Sequence, residues 1–124
     1  MRKTLLAALG IAALVMSQSA QAQVRDCVIV GNILPIGQNS VGTIALTSAE
    51  TCNMFLTASG SVVSASISEQ PKNGTLTLQG AGSMKYKPRD GYAGTDEFAV
   101  TVTGRSQAGT TDVTSTLKVV ATVR

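Results

Sequence analysis

Apolar and polar residues alternate with a period of two through most of the chain beyond residue 40, the pattern of strands that bury one face. Val41 to Thr47 puts Ile44 and Leu46 on one side, and Val62 to Ser68 puts Val63, Ala65 and Ile67 opposite Ser64, Ser66 and Ser68. Thr75 to Leu78 and Ser83 to Pro88 repeat the alternation. Phe98 to Thr103 aligns Phe98, Val100 and Val102; Val113 to Val123 aligns Val113, Ser115, Leu117, Val119 and Ala121. Upstream, Cys27 to Leu34 reads as an N-terminal strand interrupted at Gly31, with Gln23 to Asp26 as a polar lead-in. Cys52 to Ala58 reads as a strand anchored by Met54 or Phe55. Ala, Glu, Met and Leu leave helix as a competitor over Ser48 to Leu56.

Turn chemistry separates these runs. Pro35 to Ser40, Ser59-Gly60, Pro71 to Gly74, the glycines after Gln79, Arg89 to Thr95 and Gly104 to Thr110 all carry Gly, Pro, Asn or Ser, the residues that turns demand. About seven or eight strands result, and short strands at this spacing predict an immunoglobulin-like antiparallel β-sandwich. An antibody-type domain is excluded, because the chain has no Trp and its two cysteines lie too close in sequence.

The first 22 residues stand apart. Met1-Arg2-Lys3 is basic, Leu5 to Met16 is apolar, and Ala20-Gln21-Ala22 supplies small residues at an exit. This is the form of a cleavable signal peptide, and the apolar run is too short to span a membrane. The expected division is a signal peptide over 1–22 and one domain over 23–124, exported to the periplasm or beyond. Export alters the charge argument. The formal net charge is +3, but losing Arg2 and Lys3 leaves eight basic against seven acidic residues. A nucleic-acid partner needs a stronger basic footprint than that. In an oxidising compartment Cys27 and Cys52 are expected to form a disulfide, tying the first strand to the edge of the third.

No His is present, which removes the commonest general base and the commonest metal ligand. Ser and Thr are abundant, but no Ser-x-x-Lys spacing on a helix supports a hydrolase. The reading is therefore non-catalytic, with no cofactor and no resident metal.

Pro71-Lys72-Asn73-Gly74-Thr75-Leu76-Thr77 and the stretch from Tyr86 through Pro88, Gly91, Gly94 and Asp96 to Phe98 resemble the bacterial Ig-like and cadherin-like modules that recur in tandem in surface adhesins. The resemblance covers Pro71 to Val102, here in a single copy. It implies a sandwich that serves as a binding or structural module of the cell envelope, presenting a sheet face or loops to a protein or glycan partner. Each matched residue also has a local reason. Tyr86 and Phe98 fall on inward positions, and Pro88 removes a ladder donor. Gly74 closes a turn, Gly91 and Gly94 admit positive φ, and Asp96 accepts backbone N–H bonds in the corner.

Two sets of residues are left as candidate sites. Asp90, Asp96 and Glu97 form the one acidic cluster, the basis for an alternative reading as a calcium-dependent adhesin-type module. Adjacent Asp96 and Glu97 point to opposite faces of a strand, which spoils convergence on a cation. Arg105 also stands where related modules carry an acidic loop. Lys85, Lys87 and Arg89 recur at every second position and so share one face, with Tyr92 nearby. That basic stripe suits an acidic glycan or another envelope anion; it also suits an edge strand guarded by charge.

Overall fold

In a computed structural model, residues 23–31, 33–107 and 109–124 are described; the expected signal peptide lies outside them. Ten strands build the domain: β1 (Gln23–Asp26), β2 (Ile33–Pro35), β3 (Ser40–Leu46), β4 (Glu50–Phe55), β5 (Thr57–Ser59), β6 (Ser61–Glu69), β7 (Gly74–Gln79), β8 (Ser83–Pro88), β9 (Gly94–Arg105) and β10 (Val113–Val123). One sheet has the order β1-β4-β8-β7 and the other β3-β10-β9-β6, while β2 and β5 form a small parallel pair. The architecture is a β-sandwich, as the alternation requires. No helix among the described residues is long and apolar enough to cross a membrane.

The core lies between the two four-stranded sheets. Met54, Leu76, Met84 and Tyr86 face Ile44, Leu46, Phe98, Val100, Val102, Leu117 and Val119, all buried. Tyr86 and Phe98 belong to opposite sheets and stack with ring centroids 5.2 Å apart. In a chain with so few aromatics this pair joins the layers at their centre.

The edges depart most from the pattern in the sequence. The expected first strand, Cys27 to Leu34, is split. The polar lead-in becomes β1, which pairs in parallel with β4 from Gln23↔Glu50 to Asp26↔Asn53. The chain then crosses to the other sheet, where Val30 bridges Thr43 of β3, and only afterwards forms β2. Ile29 is buried while Val28 and Val30 are exposed, so the local alternation survives the change of sheet. Cys52 to Ala58 is also divided, at Leu56, between β4 and β5. The lead-in strand β1 and the division of Cys52 to Ala58 account for ten strands where about seven or eight were expected. Over Ser48 to Leu56 the strand prevails over the helix, with Met54 buried as its anchor and Phe55 outside.

The disulfide Cys27–Cys52 is present, but not at an edge. Cys52 is fully buried in β4, an inner strand, and Cys27 follows the last residue of β1. The bond therefore pins the point at which the N-terminal segment leaves one sheet for the other. A second departure is in β6. A register irregularity between Val62 and Ser64 inserts a residue, turning Val62 inward and leaving Val63 exposed, whereas Val63 was expected beside Ala65 and Ile67. Finally, β9 extends to Arg105, so Gly104, expected in a loop, is a ladder residue opposite Val62 and Val113.

Candidate functional site

The region that holds the matched motif is the hairpin β7–β8 and the corner that follows it. Its registration is Gly74↔Pro88, Thr75↔Lys87, Leu76↔Tyr86, Thr77↔Lys85 and Leu78↔Met84. Leu76, Tyr86 and Met84 consequently point into the core, and Thr75, Thr77, Lys85 and Lys87 point out. Pro88, buried, is the last residue of β8. Pairing of β8 with β4 stops at Cys52↔Tyr86, although β4 continues to Glu50; the missing N–H of proline ends the ladder there.

Gly74 is needed for space rather than for a positive φ. A Cβ on it would lie 2.6 Å from the Lys87 carbonyl oxygen and 2.7 Å from the Tyr86 ring. Gly91 (φ 76°) and Gly94 (φ 141°) do take backbone conformations closed to most L-residues. Between them the chain reverses, and the Tyr92 hydroxyl donates to the Thr95 carbonyl at 2.6 Å.

Asp96 holds the corner together. Its carboxylate is buried and accepts from the backbone N–H groups of Lys72 (3.1 Å), Asn73 (3.1 Å) and Glu97 (3.0 Å) and from the Tyr86 hydroxyl (2.7 Å). The first turn of the motif and its last strand are thus tied through one side chain. Burial, and then the bond to Asp96, push the Tyr86 hydroxyl well above its ordinary titration range.

The basic stripe lies on the outside of this frame. Lys87 and Arg89 are exposed and Lys85 is half-buried between Asn53 and Thr77, its cross-strand neighbours. The Arg89 guanidinium sits over the Tyr92 ring, 5.3 Å from its centroid, a cation–π arrangement that fixes the position of the charge. An open cleft of about 380 Å³ lies at this end of the sheet, lined among others by Lys72, Asn73, Thr75, Lys87, Arg89 and Asp90. Lys72 was not singled out from the sequence. Its place follows from the hairpin register, which runs it past Asn73 toward Asp90 and so to the Arg89 end of the stripe.

The match to a known family agrees with this motif. The chain belongs to the bacterial Ig domain family. The matched residues are 29–120, nearly the whole sandwich. Among curated proteins no match is found. Bacterial Ig domains are in general non-catalytic, extracellular modules, and the disulfide suits an oxidising compartment.

In this bacterial Ig domain, Asp96 and Glu97 are engaged in the fold. Both Asp96 oxygens are occupied as described, and Glu97 lies on the outer face, 3.1 Å from the Lys118 ammonium. Asp90 is exposed and lines the same cleft as Lys72, Lys87 and Arg89. Among the described residues no group of three acidic, Cys or His side chains is disposed to hold a metal ion. The cations divide differently. Arg25 pairs with Glu50, Arg105 with Asp112 and Lys118 with Glu97. Among the described residues, Lys72, Lys85, Lys87 and Arg89 make no salt bridge, nor does Arg124 at the other end of the sandwich beside Leu46.

Proposed function

We propose that this bacterial Ig domain is an exported binding module whose β8 face and adjoining corner dock an anionic partner of the cell envelope. The observation that carries the reading is the gathering of unpaired cations. Lys85 and Lys87 come from β8, and Lys72 and Arg89 from the segments that flank the β7–β8 hairpin, while the basic residues with carboxylate partners lie elsewhere. Cations without intramolecular partners keep their full attraction for an external anion. Arg89 is held over Tyr92, and less side-chain freedom is then lost on binding.

Signal-peptide removal after Ala22 belongs to this reading, since the module has to reach the envelope. The test is the double variant Lys87→Glu, Arg89→Glu, with the mature protein mixed with envelope fractions of its own host. Binding should fall at least about tenfold and weaken with salt. Unchanged retention by the envelope would remove the stripe from the function. An unchanged melting temperature would show that the fold is intact.

A further inference from the structure

We infer that the partner is a polypeptide, and that an extended acidic segment of it adds as a fifth strand to the free edge of β7. This rests on the anionic partner proposed above and specifies its chemistry. Each four-stranded sheet has two edges, and exposed edges are normally blunted by charge, bulges or cover. On β3 the edge is closed by Val30, whose N–H donates to the Thr43 carbonyl (2.9 Å) and whose carbonyl accepts from the Thr43 N–H (3.1 Å). On β6 it is broken by irregularities at Val62/Ser64 and Ile67/Glu69. On β1 the strand is only four residues long and carries Arg25 and Asp26. By contrast, β7 has six residues, Gly-Thr-Leu-Thr-Leu-Gln, without charge or proline, and pairs with β8 in unbroken register.

The hydrogen bonding fixes which groups are available. The Arg89 N–H donates to the Asn73 carbonyl at 2.7 Å, so Asn73 and Arg89 are a hydrogen-bonded pair. Alternation along an antiparallel ladder then turns the backbone of Thr75, Thr77 and Gln79 toward β8. The N–H and C=O groups of Gly74, Leu76 and Leu78 face the open edge. Among the described residues nothing else bonds to them.

The side chains state what the added strand should carry. Residues opposite Leu76 and Leu78 continue the inner face and should be apolar. Residues opposite Thr75 and Thr77 lie on the outer face. There the small threonines separate them from Lys85 and Lys87 one strand further in, within reach of long side chains. Acidic residues suit those positions, and Lys72 adds a cation at the start of the strand. A second copy pairing edge to edge would instead bring two cationic stripes together.

The experiment uses the mature protein and a capped peptide, Val-Glu-Val-Glu-Val-Glu-Val. Two N-methylated forms block one edge each, at the Val or at the Glu amides. Strand addition predicts that the backbone amides of Leu76 and Leu78 shift and gain exchange protection. For a strand added antiparallel to β7, methylating the Val amides should cost at least about tenfold in affinity and methylating the Glu amides little; the reverse order would mean a parallel strand. In the protein, Leu78→Pro removes an edge donor without touching the β8 ladder, and should abolish binding. Equal binding of both methylated forms, or an acidic polysaccharide competing while these amides stay unperturbed, would overturn the inference. So would absent peptide binding or concentration-dependent dimers that bury β7. If the Lys87→Glu, Arg89→Glu variant still loses the envelope in those cases, the anion-binding reading survives and strand addition alone fails.

Discussion

The Tyr86 hydroxyl donates a 2.7 Å hydrogen bond to the carboxylate of Asp96, with both groups buried. The pair spans the two sheets: Tyr86 lies in β8 and Asp96 in β9. Because the same carboxylate also accepts from Lys72 and Asn73, it fixes the turn before β7 relative to the corner after β8. Asp96→Ala leaves a buried hydroxyl and two turn amides without their acceptor. It should cost about 3 kcal/mol in denaturant unfolding. Asp96→Asn, which keeps the volume and one acceptor oxygen, should cost roughly half as much. A loss under about 1 kcal/mol for the alanine variant would show that water replaces the carboxylate.

The Tyr86–Asp96 pair also shows what could be read from the residues alone. Alternation placed Tyr86, Phe98, Ile44, Leu46 and the inward positions of β10 correctly, because a buried face imposes the period of two whatever the partner strand is. The glycines and Asp96 were legible as corner residues for the same local reason. The course of residues 23–35 was not. Which sheet an edge segment joins depends on distant partners, Glu50 to Asn53 for β1 and Thr43 for Val30, and Gln23 to Asp26 carries no apolar alternation to announce a strand. Val63 was misplaced because a bulge shifts the face of one residue without altering composition. At the candidate site, the stripe was visible at every second position of β8. The contribution of Lys72 and the openness of the β7 edge depend on pairing, and pairing is not written in any single strand.

Alkaline pH should destabilise the domain through Tyr86. Its titration is raised in the folded state by burial and by the bond to Asp96. The unfolded chain therefore releases this proton near the ordinary tyrosine value of 10.0 while the native state keeps it. Stability from this group is complete below pH 10 and declines as pH rises above it, by about 1.4 kcal/mol per pH unit. Tyr86→Phe should flatten that limb relative to the wild type, and the difference between the two proteins cancels the exposed groups. Parallel stability curves from about pH 9 to 11 would refute the assignment.

At the other end of the sheet the sign reverses. The Thr47 N–H donates to Glu50 at 2.8 Å, and Arg25 lies 2.7 Å from its second oxygen while also donating to the Ala45 carbonyl of the opposite sheet (2.7 Å). The Thr47 bond first, with Arg25 assisting, holds the Glu50 carboxyl below its usual value of 4.5. This clasp on β1 is therefore intact above pH 4.5 and is lost as pH falls through the lowered value. Amide exchange in Gln23 to Asp26 should accelerate in acid, after correction for intrinsic rates, before the remaining strands open. Glu50→Gln should remove that pH dependence. Simultaneous exchange of all strands would contradict it.

Reduction should lower stability more than any single surface change. The disulfide closes a separation of 25 residues, for which chain entropy gives about 3.5 kcal/mol. That corresponds to a fall of roughly 15–25 °C in the melting temperature of a domain this size. The paired variant Cys27→Ser, Cys52→Ser should reproduce the fall, with the early losses in β1 and the Val30 bridge rather than in β9 and β10. Equal melting temperatures with and without reductant would mean that Cys27 and Cys52 are not bonded in the protein.

Gly74 and Gly91 separate two reasons for keeping glycine. At Gly91 the φ of 76° is the constraint, and a Cβ placed there would have no heavy atom within 4 Å, so Gly91→Ala should cost about 1 kcal/mol of backbone strain. At Gly74 the backbone is ordinary, but a methyl group would press on the Lys87 carbonyl at 2.6 Å and on the Tyr86 ring at 2.7 Å. The carbonyl belongs to the β7–β8 ladder, and the ring is locked between Phe98 and Asp96; neither can yield alone. Gly74→Ala should therefore cost more, about 2–3 kcal/mol, and should weaken the Tyr86–Asp96 bond enough to shorten the alkaline range over which stability falls. If Gly91→Ala proves the more damaging, the ring does not pack against Gly74 as closely as the distances require.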